Sequence, residues 1–468
     1  MTIDLTPYLS DNGPKYLVIA RAISEAVRQG ELLPGTRLPP HRQLAENLGV
    51  SVQTVSRAYA QAEKMGLVQA RVGSGTWVNA LDEVRESAYL HSNEARLETP
   101  LIDLSIAHPV CPPGHHLLFR QTLAELAELA SPEIIRACRP IAGLMHQRER
   151  ASAWLSSRLH VPGEPDDRVL CNGAAHGLML AISSVVQHGD LVLTEALTDH
   201  GLIALSRTLG FQLRGIAIDA EGIVPEALEL ACQRYKPRAL YLTPTQLNPT
   251  GATMSAARRD AVAEVLARHR VWLIEDDVHA LLEAPGFTPV TARIPQQSFH
   301  ITSLTKVTVP GLRAGYLTVP RGQLHHVLPR MRATTWMATP LIFEIADRWL
   351  ADGHVETLAT EQRTLLAERQ QLTRRLLGHH TLESRPTSLH VWVSLPDAWR
   401  AEELQQQAEQ EGLAITTAVP FMVERTPPPR RIRISLGAEQ DIRRLEEGLE
   451  RLVVLLDEAP PPMMQIVY

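Results

Sequence analysis

The sequence predicts two folded parts, a small helical domain that ends in a β-hairpin and a large α/β domain with a mostly parallel sheet. The first part, residues 1–78, shows helical periodicity followed by two short β-rich runs. The stretch 79–100 is polar and has no apolar period, which is typical of an exposed linker. In the last part, 101–468, short apolar runs such as RVLCN, LVLTE and SFHITS alternate with helical stretches, as in parallel α/β domains.

The composition indicates a soluble globular protein in a reducing compartment. Of the 468 residues, 44% are hydrophobic and 21% are charged, and the formal net charge is −6. No signal peptide or membrane-length apolar stretch is evident, so we expect a cytoplasmic protein. The four cysteines are scattered and form no C-x-x-C pair, so neither a disulfide framework nor a metal site is predicted. They are Cys111, Cys138, Cys171 and Cys232.

Three helices are predicted before the hairpin. The first places Leu17, Ala20, Ile23 and Val27 on one face. A second helix, HRQLAENLG, ends at Gly49. Ser51 then stands at the N-cap of a third helix, and its first turn is free to face outward. The buried face of this third helix is predicted to consist of Val55, Ala58, Tyr59 and Ala62.

The runs LVQAR and TWVNA flank Gly73-Ser74-Gly75, which predicts a hairpin with these residues at its tip. A helix, a tight turn, a second helix and a hairpin are the parts that place a recognition helix in a DNA major groove and a wing on its backbone. Residues through Val78 include eight basic and six acidic side chains, so this part is more basic than the rest of the chain.

The segment from Gly30, GELLPGTRLPPHRQLAENLGVSVQTVSRAY, continued by GSGTWV, resembles the GntR-type winged helix without gaps. The resemblance implies DNA as a partner. It also implies contacts with phosphates or base edges from one group of side chains and a wing position for Gly73. The implied contact residues are Arg42, Ser51, Gln53, Thr54 and Arg57. Val52 and His41 depart from the residues usual in the family, which implies a different sequence preference.

The run SLTKVTVPGLRAGYL contains a lysine, Lys306, three residues after Ser303 and seven before Arg313. A lysine that follows a strand can form an imine with an aldehyde while a hydroxyl and a guanidinium hold a phosphate. Asp276 ends the apolar run VWLIED, where a buried carboxylate is costly unless it is paired with a cation. The alternative for such an aspartate is a helix cap, and we prefer that alternative for Asp277.

Two further turns complete the predicted site. Asn248, followed by Pro249, can direct its amide at a ring oxygen, although Asn-Pro is also a common turn former. In CNGAAHGLML, a strand, a small-residue turn and a helix follow one another. We expect Gly173, Ala174 and Ala175 to leave backbone N–H groups open at the helix N-terminus, where anions bind.

Residues 101 to about 455 resemble fold-type I aminotransferases, which depend on pyridoxal 5′-phosphate, and the full chain is similar to the MocR subfamily of GntR regulators. The resemblance implies that Lys306 bonds the cofactor, Asp276 pairs with its ring nitrogen and Asn248 contacts its ring oxygen. Arg433, in RIRISLG, matches the arginine that grips a substrate carboxylate, although Arg430 and Arg431 crowd the same segment. The implied phosphate cradle consists of Ser303, Arg313, Gly173, Ala174 and Ala175.

Two aromatic positions of the family are replaced. Relatives usually have a tyrosine shortly after the Asp276 position, where this chain has Val278 and His279. His279 either donates to the ring oxygen instead or is a core histidine. Relatives often stack a tyrosine on the ring from the loop that matches EALTDHGL, and His200 is the expected replacement there.

These features lead to three functional hypotheses. The first is a DNA-binding regulator that uses pyridoxal 5′-phosphate and senses an amino acid, an amine or the cofactor itself. The second is a working aminotransferase, and the third is a DNA-binding protein with an inert dimerisation domain. We rank them in that order, with any aminotransferase chemistry vestigial or partial. The resemblance also implies a head-to-tail homodimer, whose two winged helices read two half-sites.

Overall fold

A computed structural model describes residues 14–28, 32, 36–64, 67–71, 75–78, 101–129, 134, 136–424 and 426–458. The chain divides into two compact units. The first spans Met1–Pro100 together with Glu424–Pro429, and the second spans Leu101–Val423 together with Arg430–Tyr468. The predicted linker 79–100 lies outside the described residues.

The first unit contains three helices and a hairpin among its described residues, as the sequence predicts. Val55, Ala58 and Ala62 of the third helix are fully buried, because apolar residues at this spacing share one helical face. Gly75 pairs with Arg71, so this glycine belongs to the second strand rather than to the hairpin tip. The elements are α1 (Lys15–Arg28), α2 (His41–Leu48), α3 (Val52–Lys64), β1 (Val68–Arg71) and β2 (Gly75–Val78).

The second unit is built on a seven-stranded sheet. The strands at RVLCN, LVLTE and SFHITS have the predicted bounds, because each is a short apolar run between turn-forming residues. In the order in which they lie side by side, the strands are β4 (Arg168–Asn172), β12 (Ala314–Thr318), β11 (Ser298–Ser303), β10 (Trp272–Asp276), β9 (Ala239–Leu242), β5 (Leu191–Glu195) and β6 (Gln212–Ile216).

Only β12 runs against its neighbours in this sheet, so the predicted mostly parallel α/β fold is confirmed. Helices cover the sheet and bury apolar side chains against it. In chain order these and the neighbouring helices are α4 (Pro113–Leu129), α5 (Met145–Leu159), α6 (Ala174–Val185), α7 (His200–Leu209), α8 (Pro225–Tyr235), α9 (Ala256–His269), α10 (Leu324–Thr334), α11 (Pro340–Ala351) and α12 (His354–Leu377).

A second, four-stranded antiparallel sheet follows near the C-terminal end of the described chain. Its own apolar cluster includes Trp399 and Leu449. The strands lie in the order β13 (Leu382–Glu383), β14 (His390–Ser394), β17 (Arg431–Ser435) and β16 (Thr416–Thr417). The remaining elements are β3 (Ile102–Asp103), β7 (Ile218–Asp219), β8 (Gly222–Ile223), α13 (Ala401–Gln410), β15 (Leu413–Ala414) and α14 (Ile442–Asp457).

The topology brings several loops to one edge of the large sheet. Strands β4, β5, β9, β10 and β11 all point the same way, so their carboxyl ends share that edge. Ligands of open parallel sheets bind at such an edge. Among the described helices, none combines the length and the apolar composition that crossing a bilayer requires.

Candidate functional sites

In the first unit, a tight turn separates helices α2 and α3. Gly49 ends α2 in the left-handed conformation with φ 61°. The hydroxyl of Ser51 accepts a hydrogen bond from the backbone N–H of Thr54 at 3.1 Å, which is the predicted N-cap. The side chains of Arg42, Gln53 and Arg57 are exposed. Gly73 lies outside the described residues, so its wing position stays a prediction.

At the sheet edge of the second unit, the amine of Lys306 follows strand β11. Its Nζ donates to the backbone oxygen of Ala107 at 2.9 Å. Burial lowers the pKa of this amine, and the carboxylate of Asp199 opposes that shift. Asp276, Arg313 and Arg433 also act electrostatically on Lys306, so the predicted charged residues surround one amine. A lowered pKa makes the nucleophilic neutral amine more abundant.

Asp276 ends strand β10 and is held by two hydrogen bonds. The hydroxyl of Tyr241 donates to its Oδ2 at 2.8 Å, and the backbone N–H of Val278 donates to its Oδ1 at 3.3 Å. Burial raises the pKa of Asp276 to about 6, and the nearby Asp199 adds to the rise. The carboxylate is therefore placed where a cationic partner would stabilise its charge.

A second carboxylate, the fully buried Glu195, ends strand β5. Its Oε1 accepts from the backbone N–H of Thr243 at 2.8 Å, and its Oε2 accepts from the hydroxyl of Thr194 at 3.0 Å. Burial, with a smaller contribution from the charge of Asp276, raises the pKa of Glu195 to about 7. Two acidic groups with raised pKa values therefore lie in one electrostatic neighbourhood.

The predicted anion cradle forms around Gly173, with one correction. The N–H of Gly173 donates to the carbonyl of Cys171 at 2.8 Å, so it is not open to a ligand. Helix α6 begins at Ala174, and Ala174 and Ala175 contribute first-turn N–H groups that have no partner inside the helix. The contribution of Gly173 is space, because a Cβ there would lie 2.8 Å from Nη2 of Arg313.

The side chains predicted to hold a phosphate are available at this turn. Ser303 is the last residue of strand β11 and is buried. Arg313 has φ 52° and an exposed side chain. Within the described part of the chain, neither the hydroxyl of Ser303 nor the guanidinium of Arg313 has a hydrogen-bond or ion-pair partner. Both groups can therefore serve an anion.

Arg433 lies on strand β17 and is buried, whereas Arg430 is exposed. Nη1 of Arg433 donates to Oδ1 of Asn248 at 3.0 Å, and its Nη2 donates to the carbonyl of Ser105. The ring of Phe421 lies 5.0 Å from the guanidinium carbon. Of the three crowded arginines, Arg433 is thus the one that meets a predicted site residue.

The geometry suits a ligand that combines a phosphate, a cationic ring and an aldehyde. Such a ligand would have its phosphate at the cradle and Arg313, its ring cation at Asp276 and its aldehyde at the amine of Lys306. The backbone of Gly173 is closely surrounded, by Arg313 on one side and by Gly315 of the neighbouring strand. A Cβ on Gly315 would lie 2.5 Å from the Gly173 carbonyl carbon, so two glycines let the turn pack against its supporting strand.

Comparison with known proteins matches each of the two units to a protein family. Residues 15–78 match the family described as bacterial regulatory proteins, gntR family, and residues 99–452 match aminotransferase class I and II. The chain is 30% identical over 447 residues to the uncharacterized HTH-type transcriptional regulator YdeF of Bacillus subtilis, covering 95% of each. It is 25% identical over 470 residues to the probable rhizopine catabolism regulatory protein MocR of Rhizobium meliloti, covering 94% of this chain and 93% of that one.

The chain belongs to the MocR subfamily of GntR regulators. The winged-helix and aminotransferase-like fold classes predicted from the sequence are thereby confirmed. A further relative is the vitamin B6 salvage pathway transcriptional repressor PtsJ of Salmonella typhimurium, 29% identical over 386 residues and covering 80% of this chain and 85% of that one. The chain is therefore a helix-turn-helix transcriptional regulator with an aminotransferase-like domain, as predicted.

Solved structures show the same fold for the second unit. An archaeal alanine:glyoxylate aminotransferase superposes with a TM-score of 0.73 at 22% identity, covering 80% of this chain and 95% of that one. The α-aminoadipate aminotransferase LysN of Thermus thermophilus, complexed with N-(5′-phosphopyridoxyl)-L-leucine, gives a TM-score of 0.68 at 21% identity, covering 79% and 98%. At this identity the likeness supports the fold alone.

In this MocR-type chain, His279 is held as a core histidine. Its Nδ1 lies 3.0 Å from the backbone oxygen of Gln246, which can only accept, so Nδ1 carries the proton. Burial lowers the pKa of His279 to about 4, and Lys306 lowers it further, so the ring is neutral at pH 7. Its Nε2 then has no proton to donate. Of the two alternatives, the geometry favours the core role over donation to a ring oxygen.

His200 is the first residue of helix α7, and its side chain is 45% exposed. Its ring lies edge-on to Phe421, with the centroids 6.4 Å apart. The preceding Asp199 caps the helix through a 2.8 Å hydrogen bond from the N–H of Gly201 to its Oδ1. Asp199 influences the pKa of both Lys306 and Asp276, so this loop brings a carboxylate to the site as well as the predicted histidine.

Sequence reasoning about this MocR-type chain did not find Tyr241, Glu195 or Phe421. Tyr241 lies in strand β9, and a polar hydroxyl inside the apolar run ALYL is the signal that indicates a buried partner. Glu195, at the end of LVLTE, gives the same kind of signal as Asp276 at the end of its strand. Phe421 gives none, because it lies in a short turn whose neighbours come from distant parts of the chain.

Proposed function

We propose that this regulator binds pyridoxal 5′-phosphate through Lys306 and changes its DNA binding when an amino acid, an amine or the cofactor itself occupies the site. The observation that carries the proposal is the convergence of three groups at one sheet edge: the amine of Lys306, the half-buried carboxylate of Asp276 and the guanidinium of Arg313. The fusion of this site to a DNA-binding unit supports a sensing role.

Each predicted cofactor-binding residue would contact a different part of pyridoxal 5′-phosphate. When bound, the cofactor supplies an aldehyde that bonds an amine and a ring that withdraws electrons. Lys306 provides the amine, whose proton is weakly held because of burial. Asp276, kept in place by Tyr241, would hold a proton on the ring nitrogen. Asn248 would contact the ring oxygen. The phosphate would be bound by Ser303, Arg313 and the N–H groups of Ala174 and Ala175.

The presence of Arg433 favours an effector that carries a carboxylate, because a guanidinium binds such a group. Its fork already donates to Asn248 and to the carbonyl of Ser105, which fixes the plane of the guanidinium. A carboxylate that reaches Arg433 would therefore also alter the partner of the predicted ring-oxygen contact. The relative PtsJ is named a repressor of a vitamin B6 salvage pathway, which keeps the cofactor itself among the candidate effectors.

The DNA-binding part of the proposal rests on the exposed face of helices α2 and α3. Arg42 and Arg57 are exposed there and would contact phosphates, whereas Gln53 and Thr54, in the first turn of α3, would face base edges. We further propose a cytoplasmic head-to-tail homodimer, whose two winged helices bind two half-sites. An effector can regulate such a dimer only if it binds one arrangement more tightly than the other.

An active aminotransferase is the alternative function. It is favoured by two groups that an aminotransferase needs. The amine of Lys306 would bond the cofactor, and the guanidinium of Arg433 would bind the carboxylate of an amino acid substrate. It is disfavoured by the replacement of two family tyrosines, one in the stretch of Val278 and His279 and one in the loop that contains His200. A third possibility, an inert dimerisation scaffold, is disfavoured because Lys306, Asp276, Asn248 and Arg313 are all retained.

The deciding experiment measures cofactor absorbance and DNA affinity in the same titration. Full-length protein with the cofactor bound is titrated with a panel of amino acids and amines, and binding to its own upstream DNA is followed by fluorescence anisotropy at moderate salt. We expect one class of compound to change both signals. Absence of specific DNA binding would overturn the regulator proposal. Steady turnover of an amino acid with a keto acid at about 1 s⁻¹ or faster would establish the alternative.

A further inference from the structure

Three potential metal ligands, none of them a predicted cofactor-site residue, meet at the ends of two helices. His379 and His380 follow helix α12, and Asp457 is the last residue of helix α14. Nε2 of each histidine lies 3.1 Å from the same carboxylate oxygen, Oδ1 of Asp457. One ligand atom from each of the three side chains lies within 4.8 Å of the other two.

The spacing of these atoms suits a small tetrahedral site. Zinc binds imidazole nitrogen at about 2.0–2.1 Å and carboxylate oxygen at about 2.0–2.2 Å, which places neighbouring ligand atoms roughly 3.3 Å apart. The observed separations of 3.1 Å between nitrogen and oxygen are close to that value. The two imidazole rings lie side by side, with centroids 4.1 Å apart and a tilt of 44°.

The ring of His380 provides an independent indication. Its side chain is only 10% exposed, and its Nε2 is buried 3.1 Å from Oδ1 of Asp457 without a well-aligned hydrogen bond, whereas Nε2 of the exposed His379 forms a hydrogen bond with the same oxygen. In a metal site each ligand lone pair points at the ion and not at the neighbouring ligand. The contact of His380, which is short but poorly aligned for a hydrogen bond, is therefore what such a site shows. Burying a polar nitrogen without a partner is otherwise costly.

The backbone around the ligands is already fixed. The N–H of His380 donates to the carbonyl of Leu377 at 2.9 Å, which closes the end of helix α12. Next to Asp457, the carbonyl of Glu458 accepts from the indole Nε1 of Trp399 at 2.9 Å. His379 and Asp457 are each about half exposed, so an ion can enter from solvent and keep a water as its fourth ligand.

We propose that His379, His380 and Asp457 form a binding site for one zinc ion per chain, which joins the ends of helices α12 and α14. Two imidazoles with one carboxylate favour zinc and similar transition metals over magnesium or calcium, which prefer all-oxygen sites. The site is independent of the cofactor. A bound ion stabilises the folded state because the unfolded chain does not hold these ligands together.

The chain supplies a matched control. His325 and His326 are also consecutive, with ring centroids 4.0 Å apart and a tilt of 40°. Among the described residues this second pair has no carboxylate partner. If any adjacent histidine pair sufficed, both pairs would bind zinc equally.

The test uses full-length protein with the cofactor bound, first dialysed against a chelator. Zinc chloride is titrated by isothermal calorimetry, and the melting temperature is measured with and without the ion. We expect one zinc per chain and a higher melting temperature in the parent protein and in H325Q/H326Q. Zinc should bind at least tenfold more weakly to H379Q/H380Q. The exposed single variant H379Q should also weaken binding, and it guards against misfolding of the double variant.

Three outcomes would overturn the proposal. The first is the absence of saturable zinc binding in the parent protein. The second is equal zinc affinity in the parent and in folded H379Q. The third is a loss of binding in H325Q/H326Q as large as that in H379Q/H380Q. Magnesium chloride serves as the control ion, and we expect it to leave the melting temperature unchanged.

Discussion

Nη1 of Arg433 donates a hydrogen bond to Oδ1 of Asn248 at 3.0 Å, across 185 positions of sequence. This contact joins the residue predicted to bind an effector carboxylate to the residue predicted to contact the cofactor ring. Because one guanidinium holds both Asn248 and the carbonyl of Ser105, its orientation is set before any ligand arrives. A carboxylate at Arg433 can therefore influence the cofactor contact directly.

The first prediction concerns the guanidinium of Arg433 and its two hydrogen bonds. Arg433→Lys keeps the charge but cannot maintain both contacts, because a lysine has no planar pair of donors. We expect the half-maximal concentration of a carboxylate-bearing effector to rise about 10- to 100-fold, which corresponds to roughly 1.4–3 kcal/mol. Amines that lack a carboxylate should keep their response. Absorbance titration measures both, and the exposed Arg430→Lys is the control. An equal effect of Arg430→Lys would contradict this assignment.

The second prediction concerns the covalent attachment of the cofactor. In Lys306→Ala we expect the visible absorption band of lysine-bound pyridoxal 5′-phosphate to disappear, because no other predicted site residue carries a primary amine. The amine makes one hydrogen bond, to Ala107, so the free energy of unfolding of the cofactor-free protein should change by only about 1 kcal/mol. Absorbance and urea denaturation measure the two quantities. A persistent band would place the attachment at another lysine.

The third prediction uses the raised pKa of Asp276. Its folded-state pKa of about 6 exceeds the ordinary value of 3.8, so between these values the folded cofactor-free protein binds the proton more tightly than the unfolded chain. The free energy of unfolding should therefore fall as pH rises from about 4 to 6, by up to about 3 kcal/mol.

Asp276→Asn removes this dependence. The stability of the variant relative to the parent should increase by up to about 3 kcal/mol between pH 4 and pH 7, as measured by urea denaturation of the cofactor-free proteins. Glu195 titrates in both proteins and largely cancels in the difference. Cofactor should bind the variant more weakly, because the ring nitrogen loses its anionic partner. A difference that does not vary with pH would contradict the raised pKa.

The fourth prediction compares two glycines with the same backbone angle. Gly173 and Gly189 both have φ +84°, so alanine costs each position about 1 kcal/mol of backbone strain. Only at Gly173 would the new Cβ meet Arg313, at 2.8 Å from Nη2, whereas nothing lies within 4 Å at Gly189. We expect Gly173→Ala to weaken cofactor binding about tenfold or more, and Gly189→Ala to leave it unchanged, as measured by fluorescence titration. Equal affinities would show that Arg313 does not hold the phosphate.

The fifth prediction concerns the DNA-binding unit. Arg42→Ala should weaken binding to all sequences and reduce the salt slope of log K by about 0.9, the contribution of one phosphate contact. Lys15→Ala, an exposed cation on helix α1, should have a smaller effect on the slope. Anisotropy titrations at several salt concentrations measure both. An unchanged slope in Arg42→Ala would exclude the phosphate contact.

Local patterns in the amino-acid sequence predict the two kinds of fold, the N-cap at Ser51 and the order of the motifs around Lys306. These features depend on neighbours within a few residues along the chain, because apolar periodicity and turn residues act locally. Strands such as Arg168–Asn172 could therefore be predicted to the residue.

Long-range packing establishes which arginine of RIRISLG is buried, that the N–H of Gly173 donates to a carbonyl, and that His279 is buried with its Nδ1 at a backbone oxygen. It also brought Tyr241 to Asp276 and placed two histidines against Asp457. Each of these outcomes depends on groups that are far apart in sequence and meet only when strands pair and helices pack. A local pattern carries no information about such a partner, since the same residue is stable in solvent or in the core according to what it meets there.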